Sequence, residues 1–340
     1  MILDLHTHVV PERFPSSSVE RWPSMDHFEP GQARVMIAGR NFRTVTDQCW
    51  SHTRRIGDLQ KEGADAQVLS PMPELLSYWL PPRDGLDIAR FVNDDIARLV
   101  QSSPAHFYGL GMVPLQDPEL AAKELAVVKG AGLLGIELGS NILGKSLGDE
   151  RFLPFFQEVE AQDLAVFVHA LHPTFNERYP ATEQLINAIG FPVDTGLTIA
   201  SMIASGLLEK CPRLRLAFSH GGGTFPFFLP RLQNAWSGTW NEAPPRAKTP
   251  VQELLPKGPA DYARSLYYDT LLFDRRAIRY LIDMVGATQV TVGTDYPFIA
   301  REQPIANSLR SLGLNDEDWE NVSSRNCVRF LGLKSAQPAH

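Results

Sequence analysis

Eight short apolar or β-branched runs recur along the chain, each bounded by turn residues: MILDLH (1–6), ADAQVLS (64–70), FYGLGMVP (107–114), LLGIELG (133–139), LAVFVHA (164–170), RLRLAFSH (213–220), SLYYDT (265–270) and QVTVGTD (289–295). A helical pattern separates most neighbours. RDGLDIARFVNDDIARLVQ places apolar residues at three- and four-residue steps, and DPELAAKELAVVKGAG opens on an Asp-Pro cap and closes on glycine. Alternation of strand and helix calls for a parallel sheet. Eight repeats over roughly 300 residues match a closed (β/α)8 barrel in number and size, whereas an open doubly wound sheet more often has fewer strands.

The expected fold is therefore α/β, a TIM barrel forming a single domain over residues 1–340. Residues 10 to about 50, rich in Pro, Ser, Arg and Trp, read as an insertion after strand 1 that covers the active-site face. Residues 172–192 and 236–258 read as long loops or short helices on the same scaffold. With 44% apolar residues, a chain of 340 can bury a large core without disulfides, and its three cysteines form no C-x-x-C pair. Reduced cytosol suits that usage. A net charge of -7 and the lack of any basic run exclude a nucleic-acid surface, and neither a signal peptide nor eighteen consecutive apolar residues marks a membrane segment. The sequence thus reads as cytoplasmic and off the membrane.

The histidines fall where a barrel would use them. His6 closes strand 1 with His8 two residues on, His169 lies at the end of strand 5, His220 ends strand 6 and Asp295 ends strand 8. Carboxyl ends of barrel strands converge on one face, which holds the active site. Residues i and i+2 project to one side of a strand, so LHTH offers two imidazoles to one cation. His169 and Asp295 would complete a nitrogen-rich N/O site that suits zinc or another first-row metal better than Mg²⁺ or Ca²⁺. Any one of these histidines alone is more often a hydrogen-bonded core or loop residue; joint placement at four strand ends carries the reading. His27, His52, His106 and His340 are read as structural or surface residues, with a substrate role left open for His27.

The ordered motifs DLHTHVVPERFP, GRNFRTV, LQKEGADAQVLSPMP, GMVPLQDPELAAKEL, FVHALHP, FSHGGGTFPFFLPRLQNAW and VGTDYPF together resemble the amidohydrolase superfamily over almost the whole chain. Within it they are most similar to the branch that includes aminocarboxymuconate-semialdehyde decarboxylase. The resemblance implies that His6, His8, His169 and Asp295 hold one divalent metal ion, zinc or, as the alternative, manganese. It implies that His220 is the acid–base residue and that Asp295 relays a proton. Arg43 and Arg231 look like the arginines that hold a substrate carboxylate, the second reaching across a homodimer interface, and Phe298 resembles a wall of the substrate pocket. Two departures stand out: His169-Ala-Leu-His172-Pro replaces the family's H-P-W, and strand 4 carries Glu137 where binuclear members have a carboxylated lysine.

The implied activity is non-oxidative decarboxylation of an unsaturated or aromatic carboxylate, a small-molecule substrate. Metal-dependent hydrolysis of a C–C, amide or lactone bond on the same barrel is the alternative, and a barrel that only binds a ligand is a third. The stretch GSNILGKS (139–146) also fits the phosphate-loop pattern and, through GKSLG, the nucleophile-elbow pattern of serine hydrolases. The first needs a helix opening at the lysine, where Gly148, Asp149 and Glu150 argue against one, and the second needs a histidine after the acid. The stretch is expected to be the loop after strand 4, from which Asn141 and Lys145 could reach an anionic substrate.

Overall fold

The computed structural model describes residues 1–16, 22–180, 182–238, 250–298 and 300–334. Its eight principal strands are β1 (Leu3–Val9), β2 (Ala66–Pro71), β3 (Phe107–Gly111), β4 (Gly135–Gly139), β5 (Ala165–His169), β6 (Arg215–Phe218), β7 (Tyr267–Asp269) and β8 (Val290–Thr291). They pair in sequence order and in parallel. The ring closes at its carboxyl end: the Leu5 N–H donates to Val292 O (2.9 Å), the Asp295 N–H to His6 O (2.8 Å) and the His8 N–H to Tyr296 O (2.7 Å). The (β/α)8 barrel expected from the alternation is the fold observed.

Strands covered on both faces carry nearly continuous apolar runs. Two apolar clusters result. Leu3, Leu5, Val68, Leu110 and Phe167 pack together in the lumen with Phe330 and Leu331, while Val166, Val168 and the inner faces of the helices form the larger shell outside. Helices start and stop where their caps dictate. Ser51 accepts from the Arg54 N–H to open His52–Glu62, which Gly63 ends at φ 74°, and Asp117 accepts from the Leu120 N–H to open Pro118–Gly130.

Register in β1 is interrupted. Leu3 and Asp4 pair with Ala66 and Gln67, but Thr7 and His8 pair with Leu69 and Ser70, so β1 holds one residue more than β2 over that interval. Such a bulge re-aims side chains. It lets both Leu3 and Leu5 face the lumen below while His6 faces it above, its ring packed edge-on to Phe167 at 5.1 Å.

Between β1 and the helix at residue 52, Ser24–Glu29, Gln32–Ile37 and Arg40–Thr46 form a three-stranded antiparallel sheet anchored by buried Ala33, Val35 and Val45. The helical run Glu183–Ala204 has the length and mean hydropathy (1.3) of a membrane span by composition alone. Its residues Asp194, Thr195, Thr198 and Ile199 are instead buried in the fold. GSNILGKS is a tight hairpin, Asn141–Ile142 pairing with Lys145–Ser146, so no helix opens at its lysine. Asn141 serves the scaffold: its amide donates to the carbonyls of Leu171 (2.8 Å) and His172 (3.2 Å) and to Asp194 (3.0 Å). Its amide is thus engaged by the scaffold, although the residue still lines a cavity on the active-site face; Lys145 is exposed. His340 and residues 239–249 of the 236–258 stretch lie outside the described residues, as does part of the 10–50 insertion.

Candidate metal centre

His6 and His8 leave the upper half of β1, His169 ends β5, and Asp295 follows β8 by four residues. One ligand atom from each lies within 4.8 Å of those of the other three, and all four residues are buried. His8 Nε2 stands 3.0 Å from Asp295 Oδ1, His6 Nε2 3.5 Å from the same oxygen, and the two Nε2 atoms 3.1 Å apart.

The far side of each ring settles its tautomer. His8 Nδ1 donates to the Pro71 carbonyl at 3.0 Å, His169 Nδ1 to the Ala170 carbonyl at 2.8 Å, and His6 Nδ1 to Asp269 Oδ2 at 2.7 Å. Carbonyl and carboxylate oxygens only accept, so each Nδ1 carries its proton, and Nε2 is the atom each ring turns to the centre, a lone-pair donor whenever that ring is neutral. His169 Nε2 is buried with no hydrogen-bond partner. Three converging lone pairs, one of them orphaned, and a carboxylate form a donor set that fits a single divalent cation.

Asp269, the last residue of β7, was missed in the sequence. Its Oδ2 also accepts from the His220 N–H (3.0 Å), and its Oδ1 from the N–H groups of Gly221 (2.9 Å) and Leu271 (3.0 Å). Burial works against its charge, but the bonds from His6 and these amides outweigh it and hold its pKa below the usual carboxylate value. Burial likewise opposes charge on His6, yet Asp269 beside it raises that imidazole to about 9. The signal was present: Asp269 ends a strand, as His169 does. The Gly of VGTD makes the pair possible, because a Cβ on Gly293 would stand 2.6 Å from Asp269 Cβ and 2.9 Å from His6 Cβ.

His220 opens the turn after β6, its ring centroid 5.1 Å from that of His169 and 5.4 Å from that of His6. Its Nδ1 is buried without a partner, and burial, with the charge on His6, pushes its pKa down to about 4. His220 (φ 56°) and Asp295 (φ 67°) both sit in the left-handed region that non-glycine residues avoid. The HGGG turn is held tightly: a Cβ on Gly223 would meet the Pro192 carbonyl oxygen at 2.0 Å.

Glu137, on β4, is buried with neither carboxylate oxygen hydrogen-bonded, its Oε2 3.7 Å from His8 Nδ1. Burial pushes it up to about 8, so at neutral pH it is mostly an uncharged acid. Arg55, also missed, is fully buried beneath the centre. Its guanidinium donates to His8 O, Gln48 O, Thr7 Oγ1 and Gln67 Oε1 at 2.9–3.0 Å and lies 4.7 Å over the Tyr296 ring, which ties the end of β1 to the residue after Asp295.

The expected substrate residues separate. Phe298 stacks on the His8 ring (5.3 Å, 22°), and Arg43 lies over Phe298 at 4.4 Å, so the antiparallel sheet delivers Arg43 to the centre. Arg231 is exposed on the helix Phe225–Ser237. His172 bonds through Nε2 to Glu74 Oε2 at 2.9 Å, at the rim.

Known proteins share this arrangement of chain. The profile of the amidohydrolase family matches residues 3–333. A Dictyostelium discoideum protein named 2-amino-3-carboxymuconate-6-semialdehyde decarboxylase is 36% identical over 97% of this chain and 91% of its own. Among solved structures, Metarhizium anisopliae IDCase in apo form superposes with a TM-score of 0.78 at 21% identity, over 99% of this chain and 98% of that one. Dihydroxybenzoic acid decarboxylase from Polaromonas sp. JS666, with bound manganese and the inhibitor 2-nitroresorcinol, gives 0.74 at 19% identity over 99% and 98%. A profile match from residue 3 to residue 333 and a relative more than one-third identical along nearly the whole of both chains show that this chain belongs to the amidohydrolase family.

Proposed function

We propose that the protein is a metal-dependent, non-oxidative decarboxylase of an unsaturated or aromatic carboxylate. The observation that carries this reading is the convergence of His6, His8, His169 and Asp295 within 4.8 Å beside the His220 ring, whose buried Nδ1 has no hydrogen-bond partner. The whole-length likeness to a named decarboxylase supports it. A divalent ion bound by those four residues would act as a Lewis acid, stabilising negative charge as the bond to CO₂ breaks. Zinc suits three imidazoles and one carboxylate; manganese, the ion in the Polaromonas enzyme, is the alternative.

The remaining work falls to this chain's residues. Loss of CO₂ leaves an electron pair on carbon that must take up one proton. His220, neutral at pH 7, is placed to hold and pass that proton, and Asp295 to relay it. Arg43 would pair its planar guanidinium with the substrate carboxylate while Phe298, held between Arg43 and His8, presents its ring edge as a wall of the pocket. In a homodimer Arg231 would add a second guanidinium from the neighbouring subunit. The proposal takes residues 1–340 as one domain whose 10–50 insertion covers the site, and places the enzyme in the cytoplasm, where its three buried cysteines stay reduced.

The test is a screen of muconate semialdehydes and hydroxybenzoates, following substrate absorbance and released CO₂ together. Absorbance loss with an equivalent of CO₂ is expected; a water-added product without CO₂ would replace decarboxylation by hydrolysis.

A further inference from the structure

A cavity of about 470 Å³ opens on the catalytic face, among the segments that follow β2, β4 and β5. Its walls include Glu74 from the segment after β2, Leu143 from the hairpin after β4, and Leu171 and His172 from the segment after β5, with Trp79 and Ile37 among the other lining residues. Ile37 belongs to the antiparallel sheet that carries Arg43, and His172 lies three residues beyond His169. The cavity's size falls within the range of ~300–1,000 Å³ usual for small-molecule sites.

We infer that this cavity is a specificity subsite for the part of the substrate remote from the reacting carboxylate, and that it takes a planar, uncharged arm bearing a hydrogen-bonding group. The inference rests on the decarboxylase reading for what reacts, and on the cavity for what binds. Trp79 offers an aromatic face, tilted 35° to the His172 ring at 5.5 Å. Leu143, 65% exposed at the hairpin tip, presents apolar surface that an arm would cover. Polar recognition comes from the His172–Glu74 pair, 2.9 Å apart. The hydrogen bond to Glu74 raises the His172 pKa above its ordinary value. A neutral carbonyl or hydroxyl can bond to such a pair, whereas a second carboxylate would meet Glu74 with its like charge.

The wall is built and held. His172 adopts φ 44°, a conformation costly for a residue with a Cβ, and its carbonyl and that of Leu171 are both bonded by the Asn141 amide. Asn141 in turn is braced by Asp194, which also accepts from Ser140.

The experiment uses the metal-loaded protein and three probes: 2,6-dihydroxybenzoate, its 4-acetyl derivative and its 4-carboxy derivative. Binding is read by calorimetry and turnover by CO₂ release. The acetyl compound should bind about tenfold more tightly than the carboxy compound, the size of one pKa unit of charge repulsion. Glu74→Gln should shrink that ratio to about threefold or less, and Trp79→Ala should remove the advantage of the acetyl compound over the unsubstituted parent. An unchanged ratio in both variants, or no binding of any probe, overturns the subsite. Arm preference retained in calorimetry without any CO₂ overturns the decarboxylase reading and leaves the subsite standing.

Discussion

Asp269 Oδ2 accepts the Nδ1 proton of His6 at 2.7 Å, and with the same oxygen holds the backbone N–H of His220 at 3.0 Å. One carboxylate thereby orients a metal-facing ring on β1 and sets the position of the acid–base candidate after β6.

Replacing Asp269 by Asn keeps the shape but offers either an amide donor or a weaker, neutral acceptor to His6. Metal affinity should fall by about 10- to 100-fold, the usual cost of losing a partner behind a ligating histidine. Competition with a chromophoric chelator reads the change, and an unaltered affinity would remove Asp269 from the centre's support.

Gly293→Ala attacks the same pair sterically. A methyl group 2.6 Å from Asp269 Cβ and 2.9 Å from His6 Cβ forces the strands apart, at a cost of about 1–3 kcal/mol for overpacking. A lowered Tm together with weaker metal binding is the expected result; wild-type values for both would show that the contact relaxes freely.

His169→Ala and His220→Ala should part company. The first removes a lone pair directed at the centre, so elemental analysis should find metal and activity lost together. The second should retain metal while CO₂ release drops by roughly 10²- to 10⁴-fold, the span of a positioned proton transfer. Equal metal loss in both would make His220 a ligand.

Stripping metal with a chelator should lower Tm, and restoring zinc should raise it, because an ion bound only by the folded chain adds about 2.7 kcal/mol at a hundredfold excess over its Kd. Differential scanning calorimetry with and without the ion measures this; identical Tm values would count against a resident metal.

Glu137 links pH to the stability of the metal-free protein. Its carboxyl is raised from 4.5 to about 8 by burial, so the folded state holds a proton that the unfolded state releases near pH 4.5. The stabilising contribution is complete below pH 4.5 and is lost as pH rises toward 8. Glu137→Gln cannot ionise and should flatten the decline of Tm over that window; parallel profiles for the two proteins would refute the assignment.

Much of this was legible in the chain itself. Six of the eight barrel strands lie within the runs read from apolar and β-branched clustering, and β1 and β2 overlap theirs, running on to Val9 and Pro71, because a strand buried on both faces has to be apolar almost throughout. The four donors of the metal centre were legible for a related reason: a parallel barrel sends every strand's carboxyl end to one face, so polar residues at strand ends are brought together by topology alone. The phosphate-loop match was rightly set aside, since a helix cannot open at Lys145 where the chain turns back as a hairpin.

What only the tertiary structure decided depends on residues distant in sequence. The extra residue in β1 becomes visible only against the register of β2, and it is what turns both Leu5 and His6 toward the lumen. Asp269 and Arg55 act through His6, His8 and Tyr296, partners on other strands and loops. Asn141 lines the cavity on the catalytic face, but only the folded chain shows that its amide is held by the backbone carbonyls of residues 171 and 172. Periodicity and strand-end position are properties of one segment at a time. Which ring nitrogen faces a metal, which carboxylate stays charged and which amide is already spent depend on burial and hydrogen bonds between segments, and those exist only once the barrel has closed.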